Sequence, residues 1–230
     1  LTWGWNKKGK KVVPFHALSL SNQKIKFKEN INKNIYFCVQ VPGRFPGRFE
    51  SIQRNNEEKL KKINSVKKII NNLNNRLTET IVLRYLGHAQ KRTFVKFDKS
   101  GIFKNISYDT GKKPFKNILP KAKIVIHDSN NTGFLESLFF NVPTIIILDK
   151  EIETFEKSAR KFVKLLEKKY IIHYDPKTVV NFINKNFEDI DKWWNDKKLQ
   201  KVRKDFCNIY AKKSDNSLGD LAKYLKKVSK

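Results

Sequence analysis

The sequence predicts a doubly wound α/β fold: a mostly parallel, Rossmann-like sheet covered on both faces and closed by C-terminal helices. Three observations carry this. Short β-branched runs alternate with segments whose apolar residues recur at helical spacing. The runs show no apolar–polar alternation, as strands buried on both faces require. Most of them end at a turn signal or at residues that start helices.

The elements follow in order. Residues 1–30 are mixed and polar, with Trp3, Trp5 and a lysine-rich stretch near 7–11, and read as a linker or the tail of a missing N-terminal domain. No Met occurs anywhere, position 1 included, so the chain reads as part of a longer one. Residues 35–41 form a strand stopped at Pro42-Gly43. Leu60, Ile63, Val66, Ile69, Ile70 and Leu73 place a helix within 51–75, and Thr80 to Tyr85 is a second strand. Phe94 to Phe97 reads as a strand, with another short one around Ile102, Ile106 and Tyr108.

Lys123 to His127 is a short buried strand, 132–140 a helix, Asn141-Val142-Pro143 a turn, and Thr144 to Leu148 another buried strand. An amphipathic helix is expected over 152–168 and a last strand over Ile171 to Tyr174. Asp175-Pro176 opens a helix over 176–185, with proline in the first turn, where its missing N–H costs nothing. Two helices, about 188–211 and 216–228, close the chain. The expected organisation is a tail (1–30), a nucleotide-donor-binding Rossmann-like domain (31–186) and closing helices (187–230).

Composition narrows the function classes. Hydrophobic residues make up 39% of the 230, enough for a core. Lys+Arg number 49 against 22 Asp+Glu, a formal charge of +27. Most of the cations are lysines spread along the chain beside many asparagines, and no nucleic-acid-binding motif is present. The charge therefore reads as a lysine-rich solvated surface rather than a specific nucleic-acid site. Its secondary role would be to hold the protein against an anionic membrane. No apolar run is long enough to span a bilayer and no secretory signal is visible, so the expected location is cytoplasmic, peripheral to the inner membrane. Cys38 and Cys207 lie far apart, without metal-ligand spacing.

The segment 123–149 carries the chemistry. A buried strand ends at His127, small polar residues follow, and a helix starts near Thr132-Gly133. In an open parallel sheet, ligands bind outside the carboxyl ends of the strands. The first N–H groups of a helix have no internal partner and favour an anion. Gly133 allows close backbone approach, Ser129, Asn131 and Thr132 add donors, and Glu136 can accept hydrogen bonds from a sugar or ribose. The plainer account of Asp128 to Thr132 is ordinary helix capping.

This segment resembles the donor-nucleotide motif of GT-B glycosyltransferases: a strand, a Ser/Thr-Gly helix start, a Glu, then a Gly/Asn-x-Pro turn. More narrowly, the chain resembles the O-antigen transferases of spirochaete and marine bacterial surface-polysaccharide loci. The matching pieces are Thr2-Trp3-Gly4-Trp5, Arg84-Tyr85, Asn131-Thr132-Gly133-Phe134-Leu135-Glu136, Asn141-Val142-Pro143-Thr144, Trp193-Trp194, Phe206-Cys207 and Tyr210. The resemblance implies the donor-binding C-terminal half of a glycosyltransferase that moves a sugar from a nucleotide-sugar to a glycan or lipid-linked acceptor of O-antigen or surface polysaccharide. The nucleotide-sugar is then substrate, and no cofactor or metal is implied. Arg84 is followed by Tyr85-Leu86-Gly87-His88, where the pattern expects a Tyr-Pro continuation. Alternatives are a nucleotide-sugar epimerase or glycerophosphotransferase of the same fold, or a non-catalytic basic module on anionic lipid or nucleic acid.

Arg84, at a strand end, suits a pyrophosphate or carboxylate, or else a surface ion pair. Arg44 and Arg48 lie in the loop Pro42-Gly43-Arg44-Phe45-Pro46-Gly47-Arg48 after the first strand, placed for donor phosphates or else simply a mobile basic loop, the plainer reading. His88 and His127 are the candidate general bases, since histidine titrates near neutral pH. A histidine at a strand end is, however, more often packed than catalytic. Trp193 and Trp194 read as core, Cys207 as a buried thiol, and Asp189 and Asp191 as helix-start charge rather than a metal pair.

Overall fold

The computed structural model describes residues 1–6, 12–25, 34–40, 56–85, 87–98, 100–151 and 155–229. Its centre is one six-stranded sheet: β1 (Asn34–Val39), β2 (Ile81–Tyr85), β3 (Ser107–Asp109), β4 (Ala122–His127), β5 (Thr144–Ile147) and β6 (Ile172–His173). All neighbouring pairs are parallel, and the spatial order is β3-β2-β1-β4-β5-β6. The helices are α1 (Leu18–Ser21), α2 (Asn56–Asn72), α3 (Asn75–Thr78), α4 (His88–Phe97), α5 (Thr132–Phe139), α6 (Arg160–Lys168), α7 (Pro176–Asn186), α8 (Ile190–Trp194), α9 (Lys197–Tyr210) and α10 (Ser217–Val228).

Each face of the sheet has its own core. Ile35, Phe37, Leu83, Tyr85, Ile124, Ile126 and Ile145 point to one side, where they meet Ile63, Val66 and Ile69 of α2 and Val179 and Ile183 of α7. On the other side Ile146, Leu148 and Ile172 meet Phe134 and Leu138 of α5, Val163 and Leu166 of α6, and Leu199 and Phe206 of α9. Side chains alternate along a strand, so continuous apolar runs are what two covered faces demand.

Several local expectations are corrected. Phe94 to Phe97 is not a strand but the end of α4: Phe94 turns inward edge-on to Tyr85 and Phe103, while Lys96 stays in solvent. The helix expected over 188–211 is two, because Asp196 caps α9, its Oδ1 accepting from the Leu199 N–H at 2.8 Å. The helix expected over 152–168 begins only at Arg160, and positions 152–154 lie outside the described residues. The helix expected over 51–75 starts within the described residues at Asn56.

The Asn141-Val142-Pro143 turn places Asn141 at φ +59°, a conformation asparagine tolerates. Its carbonyl and side-chain oxygens both accept from the indole N–H of buried Trp194, each at 3.0 Å. Trp194 is thus a core residue that locks the closing helices to the β4–β5 connection.

The N-terminal segment docks on the end of α9. The Lys212 N–H donates to the Trp3 carbonyl at 2.9 Å, and the Ala17 N–H to the Lys212 carbonyl at 2.8 Å. Gly4 sits at φ +126°, and a Cβ there would meet the Ile209 carbonyl at 2.7 Å, so only glycine fits. Among the described residues no helix is long and apolar enough to cross a membrane.

Candidate functional site

In the order 3-2-1-4-5-6 the winding reverses between β1 and β4, and the crevice beyond their carboxyl ends is where such sheets bind ligands. Register fixes what faces it. Cys38 of β1 lies opposite Arg84 of β2 on one side and His127 of β4 on the other, and Arg84 lies opposite Asp109 of β3. These four side chains form one row across the sheet on the α5 side. Beyond them opens a cleft of about 290 Å³, whose lining includes Cys38, Gln40, Arg84, Phe115, Thr132, Gly133 and Glu136.

The cleft has a cationic wall and an acidic one. Arg84 pairs with Asp109, donates to the Lys113 carbonyl at 2.9 Å and lies over the Phe115 ring at 5.5 Å. The guanidinium is therefore held in place before any ligand arrives. Glu136, one turn into α5, is half-buried; burial pushes its carboxyl up and the Arg84 charge pulls it down, leaving it above the usual range.

The floor is the loop 128–131. Asp128 is buried, accepts the Gln40 N–H at 3.0 and 2.9 Å and pairs with Lys62 of α2 at 3.2 Å. Burial raises its pKa, against the pull of Lys62 and the Gln40 N–H. The Ser129 hydroxyl donates to Gln40 Oε1 at 3.0 Å, and Asn131 Nδ2 donates to Ser129 Oγ at 3.0 Å. Asn131 Oδ1 caps α5 by accepting from the Phe134 N–H at 3.2 Å. Ser129 and Asn131, expected as ligand donors, are thus engaged in shaping the loop. Donors at the mouth include the backbone N–H groups of Thr132 and Gly133, which start the helix, and the exposed Thr132 hydroxyl.

His127 is 1% exposed, edge-on between Phe115 and Phe134. Its Nε2 lies 3.0 Å from Ser137 Oγ, and that hydroxyl gives its one proton to the Gly133 carbonyl, also at 3.0 Å. His127 therefore carries its proton on Nε2 and donates it to Ser137, leaving Nδ1 a lone pair with no partner. Burial pushes its pKa down to about 3, so the ring is neutral. It locks α5 to β4, as the packed-histidine account requires. Gly133 serves that joint too: a Cβ would come within 3.1 Å of Asn131 Oδ1 and 3.4 Å of His127 Cε1.

The structure thus brings Arg84, Asn131, Thr132, Gly133 and Glu136 around one cleft, with Ser129 beneath it. His88 is exposed at the first position of α4 and does not line the cleft. Arg44 and Arg48 lie outside the described residues. Sequence reasoning missed Cys38, Gln40 and Phe115; the rule that β1 must end at the crevice would have marked the first two. No cluster of three His, Cys, Asp or Glu side chains that could hold a metal occurs among the described residues. On the opposite side of the sheet edge, a second cleft of about 600 Å³ runs between α2 and the ends of β5 and β6. There Lys61 bridges Asp149 and Glu151 at 2.8 Å each.

Fold and cleft together define a Rossmann-like α/β protein whose switch-point crevice presents helix N–H groups and a fixed guanidinium. Its family is more specific: the model of the LIC12162 family of transferases matches residues 1–225, nearly the whole chain, and the protein belongs to that family. No curated protein matches it.

Proposed function

We propose that this transferase is a glycosyltransferase and that the cleft at the β1–β4 switch point binds the diphosphate of a nucleotide-sugar donor. The observation that carries this is the convergence of the α5 N-terminus, Arg84 and Glu136 on one cleft. The Thr132 and Gly133 N–H groups and Arg84 would meet the phosphate charge, which grows as the nucleotide departs. Glu136, facing Arg84 across the cleft, would accept hydrogen bonds from sugar or ribose hydroxyls. The acceptor is a glycan or lipid-linked glycan of a surface polysaccharide such as O-antigen. In this reading His127 positions α5 and carries no proton for the reaction.

The test is thermal unfolding against CMP, CDP, UDP, GDP and ADP. A ligand at ~100 times its Kd adds about 2.7 kcal/mol, which for a domain of this size raises Tm by about 5–11 °C. The diagnostic variant is Thr132→Glu. An acidic side chain in the first turn suits the helix dipole, so the unliganded Tm should hold or rise while the nucleotide shift disappears. A shift of the same size in Thr132→Glu, or none with any nucleotide in the wild type, would sink the proposal.

A further inference from the structure

Helix α10 is amphipathic the wrong way round. Ser217, Asp220 and Tyr224 recur at i, i+3 and i+7 and make its contacts with the body: Ser217 is buried against Asn22, its carbonyl meets His16 Nε2 at 3.2 Å, Asp220 accepts from Ser214 Oγ at 2.7 Å, and Tyr224 lies 5.9 Å from the Phe15 ring. The leucines point elsewhere. At about 100° per residue, Leu218, Leu221, Ala222, Leu225 and Val228 fall in one arc of about 120°. Within it Leu218 is 66%, Leu225 53% and Val228 58% exposed. A surface helix normally turns its apolar stripe to its own core; here the polar stripe faces inward and the apolar one faces solvent.

Charge says what the stripe meets. The next sector round the helix carries Lys223, Lys226 and Lys227, and residues 212–230 hold six lysines against Asp215 and Asp220. Neither aspartate is turned to Lys223, Lys226 or Lys227: Asp220 faces Ser214 and His16, and Asp215 lies 3.3 Å from Lys213. An exposed apolar stripe flanked by lysines is the pattern of a helix lying in an anionic lipid interface.

We infer that α10 docks this transferase on the surface of an anionic bilayer, with Leu218, Leu225 and Val228 entering the headgroup boundary and Lys223, Lys226 and Lys227 engaging lipid phosphates. The surface is independent of the cleft at the α5 N-terminus, so either assignment can fail without the other.

The experiment is sedimentation of the 230-residue chain with phosphatidylglycerol–phosphatidylcholine vesicles, against pure phosphatidylcholine, near physiological salt. The chain should bind the anionic vesicles only. Leu218→Ser with Leu225→Ser keeps every charge and removes exposed side chains, so it should fold normally and bind at least about tenfold more weakly. Lys226→Gln with Lys227→Gln should lose about fivefold per lysine, whereas Lys201→Gln with Lys204→Gln, on α9, should lose far less. Equal binding by the double-serine variant would reduce the effect to bulk charge and overturn the assignment, as would absence of binding by the wild type. A concentration-dependent dimer that the double-serine variant abolishes, with vesicle binding unchanged, would make the stripe a copy-to-copy interface instead.

Discussion

The neutral state of His127 can be tested through stability. Its pKa is held at about 3 by burial, against 6.5 for a free histidine. The unfolded chain therefore takes up a proton below pH 6.5 that the folded chain refuses. A group whose folded pKa is depressed contributes stability that is whole above its unfolded pKa and is lost as pH falls toward its folded one. At 1.36 kcal/mol per pH unit, the loss between pH 7 and pH 5 is about 2 kcal/mol, and by pH 3 it reaches about 4 kcal/mol. The assay is urea unfolding at pH 7, 6 and 5 for the wild type and for His127→Gln, whose amide can still donate to Ser137 but does not titrate. Whatever the variant's absolute stability, its pH dependence should be shallower by about 2 kcal/mol over that range. Parallel curves would mean that His127 gains its proton in the folded state at ordinary cost. That would return it to the list of candidate bases and remove the reason for assigning it a positioning role.

Two further outcomes follow from buried groups. Asp98 has a fully buried side chain that accepts from the Phe103 N–H at 2.7 Å and Ser100 Oγ at 2.6 Å and pairs with Lys67 at 2.9 Å. Asp98→Ala should cost about 3–5 kcal/mol in denaturant titrations by stranding Lys67, and a loss under 1 kcal/mol would contradict the packing around α4. Burial pushes the Cys207 thiol up to about 11 against the pull of Arg203, and Cys38 is raised in the same way against Arg84. Neither should react with an aromatic disulfide reagent at pH 8 within minutes in the native protein, and both should in denaturant. A native burst at Cys38 would show that the cleft opens far more than its geometry implies.

What the sequence determined by itself is local. β-branched runs without alternation give strands covered on both faces. Asp175-Pro176 fixes the start of α7, with Asp175 Oδ1 accepting from the Lys177 N–H at 2.9 Å. Asn131 ahead of Thr132-Gly133 fixes the start of α5, because a cap and its donors lie within three residues. The same locality misled at Phe94 to Phe97, where a short aromatic run fits either period and only packing on Tyr85 and Phe103 chooses the helix. The long closing helix divides because the Asp196 side chain satisfies the α9 N-terminus better than a continuous helix could.

Tertiary structure alone decided the site. Strand order places β1 between β2 and β4, which makes Arg84, Cys38 and His127 neighbours although they are 46 and 89 positions apart along the chain. Nothing in either segment encodes that adjacency. It comes from burying both faces of the central strands at once. It also decided that the Ser129 hydroxyl donates to Gln40 and the Asn131 amide to Ser129, so that both shape the loop beneath the cleft. The leucines of α10 were legible as a stripe, but their direction was not. Periodicity says that a helix has an apolar side, and only contacts with residues two hundred positions away turn that side outward.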